Sequence, residues 1–252
     1  MRYALVLLCV LTTSIIYAQD NMATQPDDHA IDVAVVTGGH DFDEPPFLAM
    51  FEGLEGIRCT HLPQKEGSEF LEDIAAWPYD VILLYNMSRG ISEKRQANLL
   101  ALLNRGVGLV MVHHAIANYP DWPEYGNLIG ATYYLEETTA SGAPHPRSEY
   151  THDTEVRVKV EDPQHPVTRG VSDFAAVDEV YRKWDCHPGN HLLLSTDNPE
   201  SNRELAWIRE EGNRRVCCIQ PGHGPSIFSD ANYRRLIEQA IRWTARQDDT
   251  KK

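Results

Sequence analysis

Four short strand-like runs, three of them apolar without polar alternation, set the frame of the first half of the chain. Asp32-Val33-Ala34-Val35-Val36-Thr37 is β-branched and stops at Gly38-Gly39. Ile57 to Leu62, Val81 to Tyr85 and Gly108 to Val112 follow at intervals. Runs of this kind read as strands covered on both faces, the signature of a parallel sheet. Between them the pattern predicts helices over about 46–54 and 70–77. A third is predicted from a Ser92 cap, with Ala97, Leu99, Leu100, Leu102 and Leu103 on its apolar face, to a stop at Gly106. Strands alternating with helices give right-handed crossovers and a sheet wound on both faces, so the fold class is α/β and flavodoxin-like. After Gly130 the texture changes. Residues 155–160 alternate charge with valine, 180–184 and 191–195 read as short strands, and 206–208 with 216–219 flank a turn at 211–213, which predicts antiparallel pairing in a β-rich C-terminal half. An amphipathic helix is expected over 232–245. No internal repeat or low-complexity tract appears.

Ahead of the first strand the chain has a different character. Residues 1–18 carry one basic residue, Arg2, an apolar run and a small-residue end at Ala18, as a secretory signal peptide does. A membrane anchor is the alternative, but Thr12, Thr13 and Ser14 interrupt the run, which falls short of the roughly 20 apolar residues a spanning helix needs. The expectation is a secreted or periplasmic protein with a flexible leader over 19–30, one domain over 31–246 and a polar tail over 247–252. The formal net charge of -14 is spread along the chain without a Lys/Arg cluster, which disfavours nucleic acid and anionic membranes as partners. It suits a neutral small molecule such as a sugar and leaves homo-oligomerisation open. Of the five cysteines, Cys9 lies in the apolar leader. Adjacent strand positions place Cys217 and Cys218 on opposite faces. A bridge involving Cys59 or Cys186 is left open.

Ligands of open α/β sheets sit outside the carboxyl ends of the strands. His40 follows the first strand, His113 and His114 follow the fourth, and His223 follows the last. A single histidine at a strand end is commonly structural, but repetition along one rim points to a site. Successive side chains diverge, so one of His113 and His114 faces the cleft and the other is a core residue or supports the site from behind. Asp41 and Asp43 are either ligands or turn and capping residues. Glu179 and Tyr181 lie in a strand-like run, where the Glu is a base or ligand if buried and a solvated edge residue if not. His152 is a further acid/base candidate. Trp122 and Trp184 either stack on a sugar or pack in the core. No contiguous zinc spacing, nucleophile elbow or phosphate-binding glycine fingerprint occurs, so no nucleotide cofactor is expected.

Several segments together resemble the ThuA-like (trehalose utilisation) family. They are Val35-Val36-Thr37-Gly38-Gly39-His40-Asp41-Phe42, Gly108 to Ala117, Tyr119-Pro120-Asp121-Trp122-Pro123-Glu124-Tyr125, Asp162 to Gly170, Asp178-Glu179-Val180-Tyr181 and Gly222-His223-Gly224. The resemblance spans nearly the whole chain after residue 30. It implies a class I glutamine amidotransferase-like fold, with His113-His114 where those enzymes carry their cysteine. Thiolate amidotransfer is thereby excluded. It further implies a role in breakdown of sugars through 3-keto-glycosides by a lyase, hydrolase or isomerase, or a non-catalytic carbohydrate-binding protein on the same fold. On this reading His40, His113, His114 and His223 are candidates to hold a divalent metal such as zinc. His152, Glu179, Tyr181 and His223 are the catalytic candidates, and Asp41, Trp122 and Trp184 the substrate-binding ones.

Overall fold

The computed structural model describes residues 30–65, 67–139 and 143–247. The expected signal peptide, the leader up to residue 29 and the tail from residue 248 lie outside the described residues. Within them the chain order is β1 (Ile31–Gly38), α1 (Glu44–Leu48), β2 (Ile57–Pro63), β3 (Val81–Asn86), α2 (Glu93–Asn104) and β4 (Gly108–Val112). It continues through α3 (Pro123–Ile129), β5 (Ala131–Thr132), β6 (Glu149–Val160), β7 (Phe174–Arg182), β8 (Asp185–Cys186) and β9 (His191–Ser195). The hairpin of β10 (Glu204–Glu211) and β11 (Arg214–Ile219) leads to α4 (Pro225–Phe228) and α5 (Ala231–Thr244).

Nine strands form one sheet in the order β2-β1-β3-β4-β11-β10-β9-β6-β7. The first five run parallel in the doubly wound order of a flavodoxin-like sheet, with β11 as the fifth strand. The remaining four are antiparallel. The β-rich half expected from the sequence therefore extends the same sheet. Because β2 and β3 lie on opposite sides of β1, the topological switch point falls between the carboxyl ends of β1 and β3.

The period of two decides which face each apolar residue covers. Val33, Val35, Leu83, Val110 and Val112 pack with Phe47 and the apolar stripe of α5. Ala34, Val36, Ile82, Leu84 and Met111 pack with Leu99 and Leu103 of α2 on the other face. Cys217 and Cys218 divide between these two cores as expected. All four cysteines from Cys59 onward are free thiols.

Two predicted helices are shorter than expected, for local reasons. The one expected over 46–54 is α1, which Pro45 and Pro46 open, prolonged by the single 3-10 turn Ala49–Phe51 and stopped at Gly53. The one expected over 70–77 is only the 3-10 turn Glu69–Leu71. There the Asp73 carboxylate accepts the Ala75 N–H at 2.9 Å, a local bond that competes with helix formation, and Pro78 follows. Helix α3, opened by Pro123 and closed by Gly130 in the left-handed conformation, was not predicted.

The antiparallel arm does not lie flat. Four inter-strand steps of about 4.8 Å would hold β7 roughly 19 Å from β11, yet Glu179 of β7 touches His113 at the end of β4, the neighbour of β11. The arm therefore curls back over the carboxyl ends of the parallel strands. A register shift between Thr151 and Thr154, where two residues of β6 face Glu179 alone, adds to that curvature.

Candidate functional site

Each strand end delivers its side chain by a local device. After β1 the loop passes so close to β3 that a Cβ on Gly39 would meet the Met87 carbonyl oxygen at 2.1 Å. The chain then turns outward and presents His40. After β4, His113 adopts φ 53°, a conformation that costs a non-glycine residue energy and that clusters at functional sites. It opens the 3-10 turn His113–Ala117, which buries both His113 and His114. Both imidazoles are thus nine-tenths or more enclosed, and of the two it is His114 whose ring lines the cavity described below, with His113 set behind it against Glu179. After β11, Gly222 takes φ 146°, and a Cβ there would meet the Tyr233 hydroxyl at 2.6 Å and the His113 Cβ at 3.3 Å. From the curled arm, Tyr150 and His152 of β6 and Glu179 and Tyr181 of β7 share one face, as i, i+2 spacing requires.

Glu179 is the hub. It is 3% exposed, and its Oε2 lies 3.0 Å from His113 Nε2, 3.1 Å from His223 Nδ1 and 3.0 Å from the Tyr181 hydroxyl, which donates to it. Its Oε1 lies 3.6 Å from Nδ1 of half-exposed His152. Burial pushes the Glu179 carboxyl up, but the hydrogen bonds and charges of His113 and His223 outweigh it and hold the group below the usual carboxylate range. The same bond to Glu179 raises His223 against its partial burial. His113 donates Nδ1–H to the Gln220 carbonyl at 2.9 Å, which fixes Nε2 as the atom facing Glu179 and Tyr181. Burial drives the Tyr181 hydroxyl well above its ordinary value, so it stays a proton donor in hydrogen bonds.

Behind this group stands Asp178, 4% exposed. Its two oxygens accept the backbone N–H groups of Gly222 and His223 at 2.7 and 2.8 Å and clamp the loop that carries His223. In front lies a cavity of about 310 Å³, lined by His40, His114, His152, Glu179 and Tyr181 together with Tyr133 and Tyr150. His114 donates Nε2–H to the Tyr85 carbonyl at 3.1 Å, and its ring stacks on His40 at 4.5 Å between centroids. Its Nδ1 is buried without a hydrogen-bond partner among the described residues.

Burial, followed by the neighbouring charges of His113 and His40, holds His114 well below the ordinary histidine value. The unfolded chain therefore takes up a proton that the native state refuses, and stability falls as pH drops below about 6.5. The expected slope from this group is about 1.4 kcal/mol per pH unit. Urea unfolding between pH 7 and 5 checks it: His114→Gln should flatten the acid limb, and an unchanged limb would assign it to other groups.

The structure brings together His40, His113, His114, His152, Glu179, Tyr181 and His223. It separates the others. Trp122 packs beside Tyr119 and Tyr125, and Trp184 stacks on Trp207 at 5.4 Å between centroids. Both tryptophans are core residues away from the cavity lining, so the sugar-stacking expectation is corrected to packing. Asp41 is exposed and contributes its carbonyl, which accepts Nδ1–H of His40 at 2.7 Å. Asp43 occupies the cap position of α1 without a side-chain capping bond. Tyr150 was missed, although it sits two residues before His152 and must share its face. Arg89 and Arg147 were missed too, and Arg89 lies just beyond the carboxyl end of β3, where the same strand-end argument applies.

The family model ThuA, described as trehalose utilisation, matches residues 55–244. No curated protein matches the sequence. Among solved structures, a putative ThuA-like protein from Parabacteroides merdae has a TM-score of 0.73 at 19% identity, over 88% of this chain and 92% of that one. A putative ThuA-like protein from Bacteroides uniformis has a TM-score of 0.62 at 19% identity, over 88% and 94%. A β-galactosidase from Bacillus circulans sp. alkalophilus has a TM-score of 0.55 at 10% identity, over 85% of this chain and 31% of its own. These likenesses establish a mixed α/β fold built on a large central sheet.

Proposed function

The chain belongs to the ThuA family, and from that membership we propose that it is an enzyme of sugar catabolism acting by acid/base chemistry on an oxidised glycoside. One observation carries the reading. One ligand atom each of His113, Glu179 and His223 lies within 4.8 Å of the others, and Glu179 among them lines an open cavity. Two imidazole nitrogens and a carboxylate are a hydrolytic metal's donor set. The Gln220 carbonyl, by taking Nδ1–H of His113, supplies the outer-shell bond that orients such a ligand. The residues therefore fit a divalent cation, which when bound would polarise a ketone oxygen as a Lewis acid.

Every other role falls to the chain itself. A 3-keto group acidifies the proton at C2. His152, half-exposed at the cavity and close to Glu179, takes that proton. As the C2–H bond breaks, its electron pair forms the C1–C2 double bond, the C1–O bond breaks, and the substituent leaves as an alcohol with the proton that His152 took and now returns. Tyr181 and Glu179 hold His113 in place throughout. Tyr133 and Tyr150 supply aromatic faces for a sugar ring.

A metal-free version is favoured by the 3.0 and 3.1 Å separations around Glu179, which are hydrogen-bonding distances, and by the raised His223. In it the His223 imidazolium, rather than a metal ion, supplies positive charge beside Glu179. Metal content by plasma mass spectrometry, on protein purified without chelator or histidine tag, separates the two. Near-stoichiometric metal, lost in His113→Ala and His223→Ala, supports the first version. Metal-free protein that turns over a 3-keto-glycoside supports the second. Sugar binding without turnover of any 3-keto-glycoside sinks the enzyme reading in favour of a carbohydrate-binding protein. Export to the periplasm or medium remains part of the proposal on the strength of residues 1–18. Among the described residues no helix is long and apolar enough to cross a membrane.

A further inference from the structure

The cavity carries a charge opposite to that of the protein around it. The chain has 37 acidic and 23 basic residues, and its arginines are commonly tied to carboxylates, as Arg95 is to Glu72, Arg182 to Glu149 and Arg242 to Glu238. Arg89 and Arg147 differ. Both line the cavity, both are exposed, and neither has an ion-pair or hydrogen-bond partner among the described residues. They arrive from separate parts of the fold, Arg89 from the turn after β3 and Arg147 from the approach to β6. The one carboxylate in the lining, Glu179, is already engaged by His113, His223 and Tyr181. Two arginines whose guanidinium groups have no partner among the described residues thus line one concave site in an acidic protein.

A guanidinium fork matches the paired oxygens of a carboxylate or phosphate. Positive charge in a cleft concentrates such anions even where the net charge of the protein repels them. We propose that the sugar taken by this cavity is an acidic one, bearing a carboxylate or phosphate that Arg89 and Arg147 grip while the reacting carbons face Glu179 and His152. This rests on the reading of the cavity as a sugar site and names the class of sugar. It replaces the neutral substrate that the overall charge suggested.

Isothermal titration of the full chain with D-glucuronate, glucose 6-phosphate and D-glucose tests it by binding rather than turnover. At least one acidic probe should bind about tenfold or more tightly than glucose, and the tighter of the two identifies carboxylate or phosphate as the anion. The preference should vanish in the Arg89→Ala/Arg147→Ala double variant, which folds as the wild type because both side chains are exposed. It should persist in Arg105→Ala, an exposed arginine outside the cavity lining, and because the readout is binding, failure of the acid/base chemistry leaves this inference standing. Glucose binding as tightly as the acidic probes, no binding of either acidic probe, or a preference that survives the double variant would each overturn it.

Discussion

Glu179→Gln should reduce turnover by about 10³-fold and return the His223 titration toward the ordinary histidine range. The carboxylate accepts from Tyr181 and His223 and lies 3.0 Å from His113 Nε2, and its bond to His223 is the largest cause of the raised His223 value. Glutamine keeps the shape and offers one acceptor oxygen, but it removes the charge and directs an amide N–H group at groups that are themselves donors. Stability should change with pH in a defined direction. A carboxyl held low in the native state contributes above its unfolded value near 4.3 and loses that contribution as pH falls through its folded value. His223, held high, contributes fully below about 6.5 and loses that contribution as pH rises through its folded value. Histidine proton NMR across pH, beside turnover of a 3-keto-glycoside, reads both effects. If His223 titrates identically in wild type and variant, Glu179 does not govern the protonation of His223.

The second large effect is expected at Asp178. Asp178→Ala leaves the Gly222 and His223 N–H groups without their acceptor in a buried site, at about 1–3 kcal/mol for each unsatisfied donor. Urea midpoints should fall accordingly with the slope unchanged. Because Gly222 cannot accept a side chain against Tyr233 and His113, the loop has little freedom to find another arrangement. Turnover should therefore fall beyond what the loss of folded protein explains, because His223 is no longer held against Glu179. Asp178→Asn should lie between the two, since it keeps one acceptor and turns a donor toward the other N–H. A variant as stable as the wild type would show that the clamp is dispensable.

The sequence made the parallel half legible because its strands are covered on both faces, and such strands must read as unbroken apolar runs. That pattern located β1, β3 and β4, and with them His40, His113 and His114. Short-range competition defeated the helix expected over 70–77, where the Asp73 carboxylate and Pro78 override a favourable composition. At the site, strand ends identified the histidines but not the residue that joins them. Glu179 sits on the outermost strand of the sheet order, and only the curl of the antiparallel arm brings it to His113. No local pattern encodes such a long-range approach. Residue type also misled: Trp122 and Trp184 have the chemistry to stack on a sugar, but the faces on which they stand turn both inward.

The curled arm also has a consequence in time. His113 and Glu179 are 66 residues apart in sequence, and between them lies a sheet edge that must pair through β10, β9 and β6 before β7 can close over β4. Contacts of that separation carry a large chain-closure cost and form late. During refolding the parallel half can regain its strands while the histidines still lack their carboxylate. The order of assembly thus makes a competent pocket a report that the last strand has docked, and recovery of ligand binding should trail recovery of β-structure.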